Sequence, residues 1–511
     1  MSTPHANPLL RAWSTPYGLP PFAETRPEHY APAFEQAFAQ HIDELRAIEQ
    51  RTAAPNFANT IVAFDRAGWL FNRLNDMFGN LTAAETNPEL QKVELALVPK
   101  VAAHKSAIYM NAALFARIDA VKHSPEAKSL SREDSRLLNR IHFDFVRQGA
   151  KIAAESRDRY AANVAKLAEL TTQFAQNVLK DESDWALWLS KEADFAGLSA
   201  SQRDAAKAAA AERGKPDGAA ITLSRSSVVP FLTFSERRDL REQAFNALIS
   251  RGTHEGASDN RALAVEILKL RAEQAKLHGY KTFADYALVD RMAKTPAAAR
   301  ELLMKAWVPA AAKMNDDEAA LDAMRMSYGQ AEPLAKWDWR FYAEKVRKAR
   351  FDLDDAEVKP YFELNAMIRA MFGVAGKLFG LSFEEKKGLS LYHPDARLFE
   401  VKRGDALVGI FISDNFARPS KQGGAWMSAY RSQTKNTASG AVIPIVGNHN
   451  NFSKPPEGQP ALLTFDDVRT LFHEFGHGLQ HMLTTVDYPG ASGINNVEWD
   501  AVELPSQFME N

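Results

Sequence analysis

The chain has 511 residues, 46% of them hydrophobic and 25% charged, which are ordinary values for a globular protein. Lys and Arg number 62 against 64 Asp and Glu, a formal charge of −2, which argues against a nucleic-acid or membrane-surface protein. Cysteine is absent, so disulfides and thiolate metal sites are excluded, and any metal must be held by His, Asp or Glu.

The length exceeds what one compact core usually takes, so several lobes or one large helical fold are expected. The start, Met1 to Pro8, lacks the basic residues and apolar run of a signal peptide, and no stretch reaches the length of a membrane span. A soluble cytoplasmic monomer is expected. Up to about Pro27, proline and aromatic residues suggest an extended arm laid over a surface.

From Pro27 to about Lys180 the pattern is helical. Tyr30–Glu49 and Ile152–Gln176 carry apolar residues at three- and four-residue spacing. Asn59-Thr60 reads as a cap opening a helix at Ile61. Trp185–Leu189 and Ile221–Ser224 read as short paired strands. Between them lies an Ala-rich helix, Ser201–Arg213, closed by the turn Gly214-Lys215-Pro216-Asp217-Gly218. Helical pattern resumes from Glu236 to about Leu381. Arg397–Lys402 and Ala406–Ile412, joined by Arg403-Gly404-Asp405, predict a β-hairpin, and Ala441–Val446 predicts another strand. The chain is therefore expected to be mainly α, with a small sheet near its end. Regions 1–150 (helical), 151–390 (helical with short strands) and 391–511 (hairpin and catalytic helix) are the expected divisions.

Thr464 caps the last long helix, with Asp466 and Asp467 in its first turn. That helix carries His473-Glu474-Phe475-Gly476-His477, an H-E-x-x-H motif. Two histidines four apart lie on one helix face and reach one metal ion, and the glutamate between them can act on a water there. This is the working core of a zinc peptidase. Phe472, Phe475 and Leu479 are expected on the buried side, and Gly476 allows another element to come close. His481 is read as a surface histidine.

A catalytic zinc needs a third protein ligand. Glu503 lies 26 positions beyond His477, with room for a loop and a second helix. Glu498 and Asp500 are also candidates, as ligands or as partners that orient a histidine. The roles follow from the chemistry. Zinc would polarise a peptide carbonyl, and Glu474 would take a proton from water and pass it to the leaving amine. No nucleophile-elbow motif competes.

The run from His473 to Leu479, followed by Asp500-Ala501-Val502-Glu503-Leu504-Pro505-Ser506-Gln507-Phe508-Met509-Glu510-Asn511, resembles the thimet oligopeptidase family, most of all its oligopeptidase A branch. Gly423–Met427 and His393–Arg397 match landmarks of the same family. Trp337–Lys345, Lys359–Asn365 and the N-terminal half look closer to its peptidyl-dipeptidase branch. The resemblance thus covers essentially the whole chain. It implies a helical ellipsoid divided by a deep channel, with one zinc at the channel floor and short unfolded peptides as substrates. It also implies that Glu503 is the third ligand beside His473 and His477.

Gln480 stands where many members have histidine. Family members also continue past Pro-Ser-Gln into a helical segment that supplies channel tyrosine and histidine, so the chain is expected to be part of a longer protein. The expected function is zinc-dependent hydrolysis of short peptides. The alternatives are release of C-terminal dipeptides, or a fragment that binds zinc and peptide without turnover.

Overall fold

A computed structural model describes residues 7–352, 355–437 and 440–511; residues 1–6, within the stretch read above for the lack of an export signal, lie outside them. Helices dominate the fold. Tyr30–Glu49 forms one helix with the expected bounds, and Tyr30, Ala33, Phe34, Ala37, His41, Leu45 and Ile48 make its buried stripe. It packs with helices Trp69–Ala84 and Pro88–Tyr109. The segment expected at 152–176 is helical at Arg157–Asp184.

The helix expected to open at Asn59-Thr60 starts earlier. Asn56 is the cap: its side chain accepts the Asn59 N–H at 2.8 Å, and Asn59 Oδ1 accepts the Asn56 N–H at 3.0 Å. Asn59 completes the cap from inside the first turn, a reciprocal pair that an isolated Asn-Thr signal conceals.

Strands β1 (Ala186–Leu189) and β2 (Ala219–Thr222) pair antiparallel around helix Ala200–Glu212, as expected. The second strand begins and ends two residues earlier than read, because Ser224 already caps helix Arg225–Phe234.

The larger sheet holds β3 (Leu381–Lys386), β4 (Arg397–Arg403), β5 (Ala406–Phe416), β6 (Trp426–Arg431) and β7 (Ile445–Phe452), in the order β3-β4-β5-β7-β6. The β4–β5 hairpin is the one expected, and Gly404 takes a φ of +57° in its turn, which suits glycine. β5 and β7 run parallel; the other pairs are antiparallel. β7 starts four residues later than the expected strand. Pro444 lacks an N–H and only accepts, from Ile410 at 3.0 Å, so the ladder proper begins after it.

Both faces of this sheet are covered. On one, Phe399, Val401, Phe411 and Val446 pack against helices Leu364–Phe379 and Phe465–Met482. On the other, Leu398, Ile410, Ile412 and Ile445 pack against Leu19 from the N-terminal arm. The arm is therefore part of the core: Leu9 and Leu19 are buried. No described helix is long and apolar enough to cross a membrane.

Candidate active site

The helix Phe465–Met482 begins with the expected cap. Thr464 Oγ1 accepts the Asp467 N–H at 3.1 Å, and Asp467 Oδ2 accepts the Thr464 N–H at 3.0 Å. Leu471, Phe475, Leu479 and Met482 form its buried side; Phe472 is half-buried against the same core. Phe475 is fully buried among the rings of Phe372, Phe383 and Phe411, at centroid distances of 5.8, 5.7 and 5.3 Å. Burying such a side chain contributes about 1.5–3 kcal/mol. That packing fixes the rotation of the helix and so the direction of both histidines.

Gly476 lets helix Leu504–Glu510 come close. A β-carbon at Gly476 would lie 2.4 Å from the Pro505 carbonyl oxygen and 2.6 Å from Ser506 Cα. This approach delivers Glu503. Its Oε2 lies 3.1 Å from His473 Nε2 and 3.2 Å from His477 Nε2, and the imidazole centroids are 5.0 Å apart. Ser506 Oγ sits 2.9 Å from the same Glu503 Oε2 and steadies it. The triad is open to solvent: the Glu503 side chain is 48% exposed and that of His473 24%.

The donor set fits a tetrahedral zinc. Nitrogen and oxygen ligands at about 2.0–2.1 Å from such an ion stand roughly 3.3 Å apart. The observed separations match that edge, and the two histidines and one carboxylate leave a fourth position for water or substrate.

Glu474 is buried beside the triad, with no hydrogen-bond or ion-pair partner among the described residues. Burial pushes its carboxyl up to about 7; the His473 charge pulls down and Glu503 pushes up. Burial also lowers the pKa of His477, which favours its neutral ring, the form that could hold a metal.

The other candidates are engaged elsewhere. Glu498 faces Arg136 at 3.4 Å. Asp500 accepts the backbone N–H groups of Met292 and Ala293 at 2.8 and 3.0 Å, anchoring the loop before Glu503. The carboxylate that orients a histidine is Glu510, which the sequence reading did not assign. Its Oε2 accepts from His473 Nδ1 at 2.8 Å, and its Oε1 accepts from Arg469 at 2.8 Å. Its signal was present: Glu503 and Glu510 are seven apart, two turns along one helix face.

His481 is a correction. It is fully buried, not on the surface. The Ile494 N–H donates to its Nδ1 at 3.3 Å, and Gly493 packs directly on the ring. Burial pulls its pKa down to about 4, so it is a neutral core histidine that pins the following loop.

A cavity of about 1010 Å³ opens between helices Arg157–Asp184, Ala200–Glu212 and Arg225–Phe234 on one side and residues 417–424 and 453–462 on the other. Its wall reaches the first turn of the histidine-bearing helix at Asp466.

The sequence pattern of peptidase family M3 matches residues 231–511. The dipeptidyl carboxypeptidase of Salmonella typhimurium is 38% identical over 507 residues, covering 99% of this chain and 74% of the relative. Oligopeptidase A of Haemophilus influenzae is 34% identical over 514 residues, and that of Escherichia coli 32% over 510, with the same coverage of 99% and 74%. A match over more than half the chain, and such identity over nearly all of it, mean that the chain belongs to peptidase family M3.

Proposed function

We propose that the chain is a zinc-dependent oligopeptidase that hydrolyses peptide bonds in short, unfolded peptides. The observation that carries this reading is the convergence of His473 Nε2, His477 Nε2 and Glu503 Oε2, at 3.1 and 3.2 Å, beside a buried and unpartnered Glu474. His473, His477 and Glu503 would hold the ion. When bound, zinc supplies a Lewis acid that polarises a peptide carbonyl and makes a water acidic near neutral pH. Glu474 would take a proton from the attacking water on its carboxylate and return it to the leaving amine. Glu510 accepts a hydrogen bond from the His473 Nδ1–H, which turns the Nε2 lone pair toward Glu503 and His477.

The test is zinc content measured together with cleavage of an internally quenched peptide. One zinc per chain with cleavage abolished by EDTA is the expected result. One zinc without cleavage defeats the enzyme reading in favour of a peptide-binding protein. A second expected outcome concerns Glu510→Gln, which should weaken zinc binding by roughly 10–100-fold in a chelator competition. Unchanged affinity removes the orienting role.

A second reading has support of its own. The dipeptidyl carboxypeptidase relative is 38% identical, against 34% and 32% for the two oligopeptidases A. Peptides with an amidated C-terminus separate the two. An endopeptidase cleaves them as it cleaves the free acids, whereas a peptidyl-dipeptidase loses them.

A further inference from the structure

A second cavity, of about 500 Å³, lies where the N-terminal helices meet the end of β6 and the loop at 489–496. Trp13, Trp69, Phe71 and Tyr109 give it an aromatic lining. Several charged side chains also face it, and most are committed to protein partners. Arg140 pairs with Asp144 at 2.7 Å and Asp290 at 2.8 Å. Arg73 donates to the Leu9 and Arg11 carbonyls and lies 4.3 Å over the Trp13 ring. Asp65 accepts from Asn436 at 2.8 Å and from the Gly490 N–H at 3.3 Å. Arg66 donates to Asn436, and Arg431 to the Ile443 carbonyl.

Asp76 and Lys105 are different. Both face the cavity, yet neither side chain makes a hydrogen bond or a direct ion pair among the described residues. Asp76 is half-buried, and Lys105 is open to water along the cavity wall. Burial pushes the Asp76 carboxyl up to about 7 and pulls the Lys105 ammonium down, and their mutual attraction only partly offsets this. An opposite charge in the cavity would relieve the desolvation cost at half-buried Asp76 and would pair with the unpartnered Lys105 ammonium.

We propose that this cavity binds a small zwitterion, a free amino acid or dipeptide, with its ammonium on Asp76 and its carboxylate on Lys105. A ligand with one charge would leave the other wall group unpaired. An anion with two charges would meet the Asp76 carboxylate. The volume falls within the usual range for small-molecule sites. The aromatic wall then holds the side chains. The proposal stands on the cavity and its two unmatched charges and does not rest on the peptidase reading.

The test is calorimetric titration of zinc-free protein with alanyl-alanine, its N-acetyl derivative and its C-terminal amide. Alanyl-alanine should bind saturably at one site, and each blocked analogue should bind roughly 10–100-fold more weakly. In Asp76→Asn, the discrimination against the acetylated probe should vanish and that against the amide persist. Lys105→Met should show the converse. The analogues read both charges on unaltered protein, so a variant that fails to fold leaves the proposal open to refutation. Absence of saturable binding up to millimolar probe overturns it, as does a discrimination that neither substitution changes.

Discussion

Glu474→Gln is expected to leave the protein folded and able to take up one zinc, while peptide cleavage falls by about 10²–10⁴-fold, the usual worth of a positioned general base. Glutamine has the same shape, so the packing around this buried position is kept. It has no carboxylate to receive a proton. The ligand atoms of His473, His477 and Glu503 are untouched, so the metal content should match that of the parent. Folding should not suffer, because the lost carboxylate was buried without a partner and its removal takes away a desolvation cost. Measuring zinc stoichiometry, thermal midpoint and kcat on one quenched peptide separates these effects. Cleavage within a factor of a few of the parent would remove Glu474 from its role, and loss of zinc would make it a contributor to metal binding instead.

The histidine pair and Glu474 were legible because their geometry is local. Spacing along one helix fixes which side chains share a face, and the Thr464 cap and the Phe475 stripe fix where that helix starts and which way it turns. Spacing left the proposed third donor as one of three acids, and only the resemblance to the oligopeptidase family singled out Glu503. What distinguishes Glu503 is the approach of its helix to Gly476, a contact between residues nearly thirty positions apart that no spacing rule contains. His481 shows the opposite failure. It repeats the four-residue spacing of the pair, but the loop at Gly493-Ile494 folds over it and makes it core.

The sheet was half legible for a similar reason. The β4–β5 hairpin advertises itself through apolar runs around a Gly-Asp turn. β7 instead carries Gly447-Asn448-His449-Asn450, polar residues that are buried and therefore unlike any strand pattern. Their partners come from distant parts of the chain. Asn450 donates to Asn415 at 2.9 Å, and His449 Nε2 lies 3.0 Å from Ser428 Oγ. Only the start of β7 was therefore expected, and β6, its other neighbour, was not expected at all.

Asp414→Asn is expected to cost about 3–5 kcal/mol of stability, the penalty for breaking a buried ion cluster by removing one partner. Asp414 is fully buried at the end of β5. Its carboxylate accepts from Arg418 at 2.7 and 2.9 Å and from Tyr392 Oη at 2.8 Å, and it lies 3.0 Å from Lys421 Nζ. Burial alone would raise its pKa; the bonds from Arg418 and His449 and the Lys421 charge overcome this and hold the carboxyl far below the usual carboxylate range. In the asparagine variant, Arg418 keeps Glu85, at 2.6 Å, but the buried Lys421 keeps only carbonyl oxygens. Urea unfolding of parent and variant, followed by far-UV circular dichroism, measures the difference. Adding Lys421→Met should restore part of the loss, because it removes the stranded ammonium; strictly additive costs would refute the coupling. The pH dependence has a fixed sign. A carboxyl whose pKa is depressed on folding stabilises the native state above its unfolded pKa of about 3.9, and that contribution is lost as pH falls further. The gap between parent and variant should therefore hold steady above about pH 5 and narrow on acidification below about 3.9. A gap under about 1 kcal/mol at neutral pH, no more than a surface pair is worth, would mean that the cluster does not hold the sheet to the helices.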